Sequence, residues 1–297
     1  MRVLMCPGQG SQSEGFLNPW IAEISGFKDQ LQVLSEYCKR DLVHLGTSAS
    51  EEEIKDTANA QPLIVGASLA AARSALSVKD FDAVVGHSVG EFAAAAIAGV
   101  LTDAQAMELV AVRANAMAKA AKLTQTSMAA ILGAEVEVVE AVSEQLGLQV
   151  ANYNGAGQIV VAGPVSAIKA LLEAPPERSR AIELKVAGAF HTTFMQSAET
   201  ELRAAAQGIQ TGNPTLQLWS NNSGQLVQSG DEFLRLLVSQ VASPVRWDLC
   251  MASIDAEGVQ VVELPPAGAL AGLAKRGMPN SLAVALKTPA DLEKIAQ

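Results

Sequence analysis

The sequence predicts an α/β fold with a parallel sheet and a small inserted βαββαβ unit. Three observations predict it. Ala, Val and Leu dominate a chain that is 49% hydrophobic and only 4% aromatic, the composition of parallel strands buried between helices. Short apolar runs such as Val3–Cys6, Ala83–Val85 and Val259–Leu264 are separated by longer helical stretches. Between about 125 and 188 the pattern changes to shorter, closely spaced elements. A length of 297 residues suits one large domain carrying a small insert.

In chain order, Val3–Cys6 reads as a buried strand, followed by the loop Pro7-Gly8-Gln9-Gly10-Ser11-Gln12. Residues from about 27 to 76 read as mostly helical. Ala83–Val85 reads as a strand and Phe92–Ile97 as a helix. The next helix starts at Thr102, which forms a capping-box pair with Gln105, and carries an apolar stripe through Ala106, Leu109/Val110, Ala116 and Met117. Ser127–Leu132 suits a strand and Glu135–Glu144 a helix. Leu148–Asn152 and Ile159–Ala162 suit two strands around Asn154-Gly155-Ala156-Gly157. Val165–Leu172 suits a helix and Ala181–Val186 a strand. That βαββαβ order predicts a ferredoxin-like subdomain over 125–188. The larger domain, 1–124 and 189–297, resumes near Thr192 and includes the late strand Val259–Leu264.

Charge and cysteine usage exclude several function classes. The formal net charge of −10 argues against nucleic-acid binding. No run of 18 apolar residues is present, so no membrane span is expected. The N-terminus enters a strand-like segment at once, without a signal-peptide pattern. Cys6, Cys38 and Cys250 are odd in number and widely spaced, which predicts a reduced, cytoplasmic protein.

Gly86-His87-Ser88-Val89-Gly90-Glu91 is the most informative segment. A G-x-S-x-G pattern between a strand and a helix is the setting of a nucleophile elbow, and predicts an α/β-hydrolase-like core. The glycines leave room for a strained backbone at Ser88, and the following helix aims free N–H groups at its hydroxyl.

A serine needs a base, and the chain has three histidines. His44, in Asp41-Leu42-Val43-His44, has nothing chemical near it. His87 adjoins Ser88, so it belongs either to the site wall or to local backbone satisfaction. His191 follows the last strand of the insert, where it can overhang a site at the domain junction. By elimination His191 is the candidate base. Asp103, the one aspartate between Ser88 and His191, is explained as a first-turn helix residue. A Ser-His dyad, its imidazole N–H held by a backbone carbonyl, therefore fits better than a triad. Leu109, Arg113 and Met117 share a helix face, which puts Arg113 on the apolar stripe. Such an arginine snorkels, pairs with a carboxylate, or receives an anionic ligand in a bidentate clamp.

Together these segments resemble the malonyl-CoA:acyl carrier protein transacylases of fatty-acid synthesis and the related acyltransferase domains of polyketide synthases. The resemblance runs nearly end to end: Pro7–Gln12 (P-G-Q-G-S-Q), Gly86–Glu91 (G-H-S-x-G-E), Arg113 with Met117, Asn152-Tyr153-Asn154 with Gln158 (N-x-N-x-P-x-Q), Ala189-Phe190-His191, Pro244-Val245-Arg246-Trp247, and Glu263 through Arg276. It implies Ser88 as nucleophile, His191 as base, and the backbone N–H groups of Gln9 and Val89 as oxyanion hole. It further implies Arg113 as ligand of the malonyl carboxylate and Gln240 as the residue whose backbone carbonyl orients the histidine. His87, Met117, Asn152, Asn154 and Phe190 would line the substrate pocket. Phe190 is the malonyl-type residue, whose ring would crowd out an α-methyl group.

The implied reaction is a ping-pong transfer of malonyl from coenzyme A to the phosphopantetheine thiol of an acidic, transiently bound acyl carrier protein. It would feed fatty-acid synthesis, and polyketide synthesis as well, in a monomer with no cofactor and no metal. An esterase or thioesterase on the same elbow is the alternative. Candidate docking cations for the carrier are Lys119, Lys122, Arg178, Arg180, Lys185 and Lys275-Arg276. The chain departs from the pattern at Ala156, in place of proline, at Pro265-Pro266-Ala267-Gly268, in place of G-P-G-K, and at Ser243, where asparagine is common.

Overall fold

The computed structural model describes residues 1–295. Its strands are β1 (Arg2–Cys6), β2 (Ala83–Gly86), β3 (Thr126–Leu132), β4 (Gln149–Gly155), β5 (Gln158–Pro164), β6 (Arg180–Leu184), β7 (Gln217–Trp219), β8 (Val245–Arg246), β9 (Val259–Glu263) and β10 (Ser281–Ala285). They form two sheets.

The first sheet has the order β10-β9-β1-β2-β7, and every neighbouring pair is parallel. Side chains alternate across a strand, and here both faces are apolar. Leu4 and Cys6 of β1 join one core cluster, while Val3 and Met5 join another. Helices must therefore cover both sides. On one side lies the fully buried helix Gly90–Ile97, which leaves β2 by a sharp turn. The helices Thr57–Ser74 and Asp103–Ala121 pack against each other beside it.

The second sheet has the order β6-β3-β5-β4-β8. Its first three pairings are antiparallel, and β4–β8 is parallel. Period-two alternation divides this sheet too. Ala129, Ile131 and Val161 pack on Val139, Ile168 and Leu171 of the helices Val136–Leu146 and Val165–Glu173. Met128, Ala130, Val160 and Ala162 face the opposite way and join the main core. The small sheet is thus apolar on both faces and rests on the body that carries β2.

The expected elements of residues 1–188 are present with small boundary shifts, including the Thr102–Gln105 capping box. The helical stretch 27–76 divides into Phe27–Cys38, Leu42–Thr47, Glu51–Lys55 and Thr57–Ser74. β4 continues beyond Asn152 to Gly155. β6 stops at Leu184 rather than Val186, because the Val186 N–H turns back to the Leu184 carbonyl at 2.9 Å. The sequence reading is least complete after Thr192. Besides β9, the structure has β7, β8, β10 and the helices Gln196–Ala205, Gly230–Ser239 and Trp247–Ile254. β7 and β8 are three and two residues long, too short to show a period. β8 has a second consequence: a strand from outside 125–188 completes the small sheet.

Candidate active site

The centre of the site is the turn between β2 and the helix Gly90–Ile97. Ser88 sits there at φ +51°, a conformation that costs a non-glycine residue strain and needs surrounding support. The support comes from two side-chain amides. The Ser88 N–H donates to Asn221 Oδ1 at 2.7 Å, and Asn221 Nδ2 donates to the Gly86 carbonyl at 2.7 Å. Gln240 Nε2 donates to the Ser88 carbonyl at 3.1 Å. The flanking glycines serve close approach. A Cβ on Gly90 would lie 2.1 Å from the Cys6 carbonyl oxygen, and one on Gly86 would lie 2.2 Å from the Glu91 nitrogen.

Ser88 Oγ lies 2.6 Å from His191 Nε2, and His191 Nδ1 lies 2.9 Å from the Gln240 carbonyl oxygen. A carbonyl can only accept, so the ring proton is on Nδ1 and the Nε2 lone pair faces Ser88. Burial, reinforced by the Arg113 charge, pushes the His191 pKa down to about 3. The ring is neutral, with Nε2 open to accept from the Ser88 hydroxyl. The Gln240 carbonyl occupies the place an acid would take in a triad, as the shortage of carboxylates in the sequence suggests. Asp103 is in the first turn of its helix and pairs with Arg73 at 2.8 Å. His44 bonds Ser48 Oγ at 2.9 Å on the helix Leu42–Thr47.

Arg113 is 1% exposed. Its Nη1 donates to Gln61 Oε1 at 2.7 Å, and its Nη2 donates to Gln240 Oε1 at 3.1 Å and to Ser88 Oγ at 3.2 Å. Its Nε has no partner among the described residues. The guanidinium carbon lies 5.9 Å from the centre of the Phe92 ring. Of the three readings open in the sequence, snorkelling is excluded by burial. Direct pairing is excluded because all its contacts are neutral oxygens. Burial lowers its pKa against the opposing pull of Glu91, yet arginine begins so high that it stays charged. The result is a cation without a contacting anion, beside the Ser88 hydroxyl.

These groups border a cavity of about 160 Å³. Gln9, His87, Ser88, Val89, Arg113, Met117, Asn152, Asn154, Phe190 and His191 all line it, so the structure gathers residues spread over 180 positions of sequence. Gln240 stands behind them. The backbone N–H groups of Gln9 and Val89 donate to no group among the described residues. His87 joins the site wall: its Nε2 is 3.0 Å from Asn154 Oδ1, and Asn154 Nδ2 donates to Gln158 Oε1 at 3.1 Å. The Ala156 departure has a backbone reason. Gly155, Ala156 and Gly157 have φ values of +72°, +49° and +72°, and proline, locked near −65°, cannot enter such a hairpin.

The sequence reading missed Gln61, Met128, Val160, Leu184 and Val186 on the cavity wall, and Glu91 and Asn221 behind it. Gln61 did leave a signal, a polar residue followed by Pro62-Leu63-Ile64-Val65 in a buried helix. Asn221 left none. Of the docking cations, Lys119 is engaged with Glu201 at 3.0 Å.

The family model described as "Acyl transferase domain" matches residues 3–290. The malonyl CoA-acyl carrier protein transacylase of Mycobacterium tuberculosis is 49% identical over 100% of this chain and 99% of its own. The Escherichia coli protein of the same name is 31% identical over 95% and 94%. A crystal structure of the M. tuberculosis transacylase superposes with a TM-score of 0.93 at 47% identity, covering 100% and 99% of the two chains. A malonyl-transacylase in complex with a type II polyketide acyl carrier protein gives 0.92 at 29% identity, covering 99% and 98%. The chain belongs to the acyl transferase domain family, in its branch of malonyl CoA-acyl carrier protein transacylases.

Proposed function

We propose that the protein transfers malonyl from malonyl-CoA to the phosphopantetheine thiol of an acyl carrier protein, through a malonyl ester on Ser88. The observation that carries this reading is the meeting of a neutral His–Ser pair and an unpaired buried guanidinium at one cavity. Ser88 Oγ attacks the thioester carbonyl while its proton passes to His191 Nε2. The carbonyl oxygen becomes an oxyanion, which the free N–H groups of Val89 and Gln9 are placed to receive. Collapse breaks the C–S bond, and the sulfur leaves as coenzyme A thiol with the proton from His191. The carrier thiol then gives its proton to His191 and attacks the ester carbonyl, and Ser88 Oγ leaves with that proton from His191. Throughout, the Nδ1–H bond to Gln240 keeps the ring in the tautomer that the chemistry requires.

Arg113 selects the acyl group in this reading. In the free protein its Nη2 spends a hydrogen bond on Ser88 Oγ. A malonyl carboxylate offers two charged oxygens instead and would draw that donor away, freeing the nucleophile as substrate binds. Phe190 and Met117 bound the space left for the acyl carbon chain. A supply of malonyl units to fatty-acid and polyketide synthesis in the cytoplasm, by a monomer, accords with this reading. No helix among the described residues is long and apolar enough to cross a membrane. The local order fourth-first-third-second in the antiparallel part of the small sheet supports a ferredoxin-like subdomain over 125–188. The strand–Ser88–helix turn on a parallel sheet supports a hydrolase-like core over 1–124 and 189–297.

The test is intact mass after mixing with malonyl-CoA. A persistent malonyl adduct on Ser88, discharged by a carrier thiol, is expected. Arg113→Ala should lose about 2–5 kcal/mol of malonyl transition-state binding and relatively favour acetyl. Rapid release of free malonate with no adduct would make the protein a thioesterase and overturn the proposal.

A further inference from the structure

We propose that Glu91, which touches no part of the cavity, is a positioning residue that sets the Gln240 amide and the Ser88 turn, joining the nucleophile and the Arg113 guanidinium into one unit. The inference rests on the malonyl transfer proposed above and goes a step further, to what makes that site selective.

Glu91 lies in the first turn of the helix after the elbow and is 1% exposed. Its Oε1 accepts the backbone N–H of Asn221 at 2.7 Å, and its Oε2 accepts a hydrogen bond from Gln240 Nε2. Both partners then act on Ser88. Asn221 spans the turn, accepting from the Ser88 N–H and donating to the Gly86 carbonyl. This occupies the Ser88 N–H and leaves the Val89 N–H as the free donor of the turn. Gln240 donates to the Ser88 carbonyl through Nε2, accepts from Arg113 through Oε1, and accepts from His191 through its backbone carbonyl.

Only one orientation of the Gln240 amide satisfies these neighbours. Its NH₂ must face two acceptors, Glu91 Oε2 and the Ser88 carbonyl, and its oxygen must face a guanidinium. Glu91, both of whose oxygens accept from N–H groups, enforces that choice. It reaches across 130 residues to one loop and 149 to another, so the relation between Ser88, His191 and Arg113 depends on it.

Glu91→Gln breaks this logic with almost no change of shape. Its new NH₂ opposes either the Gln240 NH₂ or the Asn221 N–H. If the Gln240 amide turns over to escape, its NH₂ meets Arg113 and the Ser88 carbonyl loses its donor. Glu91→Asp keeps the carboxyl group but is one carbon shorter and reaches only one of the two donors. The experiment measures kcat/KM for acyl-enzyme formation from malonyl-CoA and acetyl-CoA, with circular dichroism confirming the fold of each variant. Glu91→Gln is expected to lower the malonyl value by about 100-fold and the malonyl-over-acetyl ratio by about tenfold, the range for leaving buried donors unpaired. Glu91→Asp should lower the ratio too, and carries the test if Glu91→Gln does not fold. Asn221→Ala frees the Ser88 turn without touching Arg113, and should lower both substrates alike. A folded Glu91 variant that keeps the wild-type ratio overturns the inference. Wild-type protein run in parallel separates the two proposals, because absence of a malonyl-serine there sinks the function itself.

Discussion

Two buried carboxylates, Glu91 beside the elbow and Glu263 at the end of β9, do opposite kinds of work. Glu263 is fully buried and accepts three backbone N–H groups, from Gly268 at 2.7 Å, Leu270 at 2.9 Å and Ala271 at 2.9 Å. All lie within eight residues of it and open the helix Ala269–Gly277, whose unpaired N–H groups and dipole favour an anion. Glu91 accepts one backbone N–H and one side-chain amide, both from distant loops. The first carboxylate closes a turn; the second couples loops that carry the chemistry. The difference explains how the Pro265–Gly268 departure is tolerated. Its cradle depends on backbone N–H groups, which survive changes of side chain. Ser68 Oγ anchors the turn by donating to the Pro265 carbonyl at 3.0 Å. Lys287 reaches it from further along the chain and favours the ionised form of Glu263.

The largest effect that separates the two regions should come from glycine substitutions. Gly90→Ala drives a Cβ into the Cys6 carbonyl oxygen at 2.1 Å and the Pro7 carbonyl oxygen at 2.7 Å. Both are backbone atoms of β1 and its loop and cannot swing aside. The expected cost exceeds about 4 kcal/mol, seen as loss of cooperative unfolding. At Gly268 the tightest contact is the flexible Lys287 Cε at 3.2 Å, at φ +139°. Gly268→Ala should cost about 1–2 kcal/mol. Chemical denaturation of the two variants side by side checks the ranking, and equal costs would erase the distinction between a shut elbow and an open turn.

Next in size is Glu263→Gln. The amide has one acceptor oxygen for three donors and turns its NH₂ against at least one of them. Leaving buried N–H groups unpaired should cost about 2–4 kcal/mol. Glu263 borders no part of the cavity, so the folded fraction should acylate at the wild-type rate. The comparison predicts a crossed pattern: Glu263→Gln moves the unfolding midpoint, and Glu91→Gln moves the malonyl-over-acetyl ratio. If Glu263→Gln also shifts the ratio, the turn is part of the site and the contrast fails.

How much of this was legible in the sequence follows the same division. Features encoded in a few adjacent residues were readable. The strand–turn–helix around Ser88, the Thr102–Gln105 cap and the βαββαβ spacing each have a local signature. Arg113 was readable as an anomaly because one charge on an apolar stripe breaks a period. His191 was reached by elimination, which works because histidines are few. What escaped was what only tertiary contact defines. Asn221 is an unremarked residue of Ser220-Asn221-Asn222 until the chain brings it against Gly86 and Ser88. Glu91 read as part of the elbow motif, with no sign that its partners lie 130 and 149 residues away. β8 adds a parallel edge to the small sheet through two residues, and no periodicity exists in two residues.

The smallest predicted effect is a matter of pH, and His191 and the two buried carboxylates respond with opposite sign. The His191 pKa falls from 6.5 to about 3 because the charged ring would be buried beside Arg113. The unfolded chain takes up a proton as pH falls through 6.5, and the folded protein does not until about 3. The stability belonging to neutral His191 is therefore complete above pH 6.5 and is lost as pH falls, by at most about 1.4 kcal/mol per unit. Burial raises Glu91 and Glu263 above the ordinary carboxylate value, so their contribution is lost as pH rises instead. Between about pH 4.5 and 6.5 the two trends oppose each other, and a single stability curve would hide both. The difference between wild type and His191→Asn isolates the imidazole. From pH 6 to 4.5 the wild type should lose roughly 1 kcal/mol per unit relative to the variant, measured by urea unfolding. Acyl-enzyme formation should show no acid limb near pH 6.5, since the base is still unprotonated there. Parallel stability curves, or a limb near 6.5, would mean that His191 is solvated in the working enzyme, and that the dry, arginine-flanked elbow is not the state that reacts.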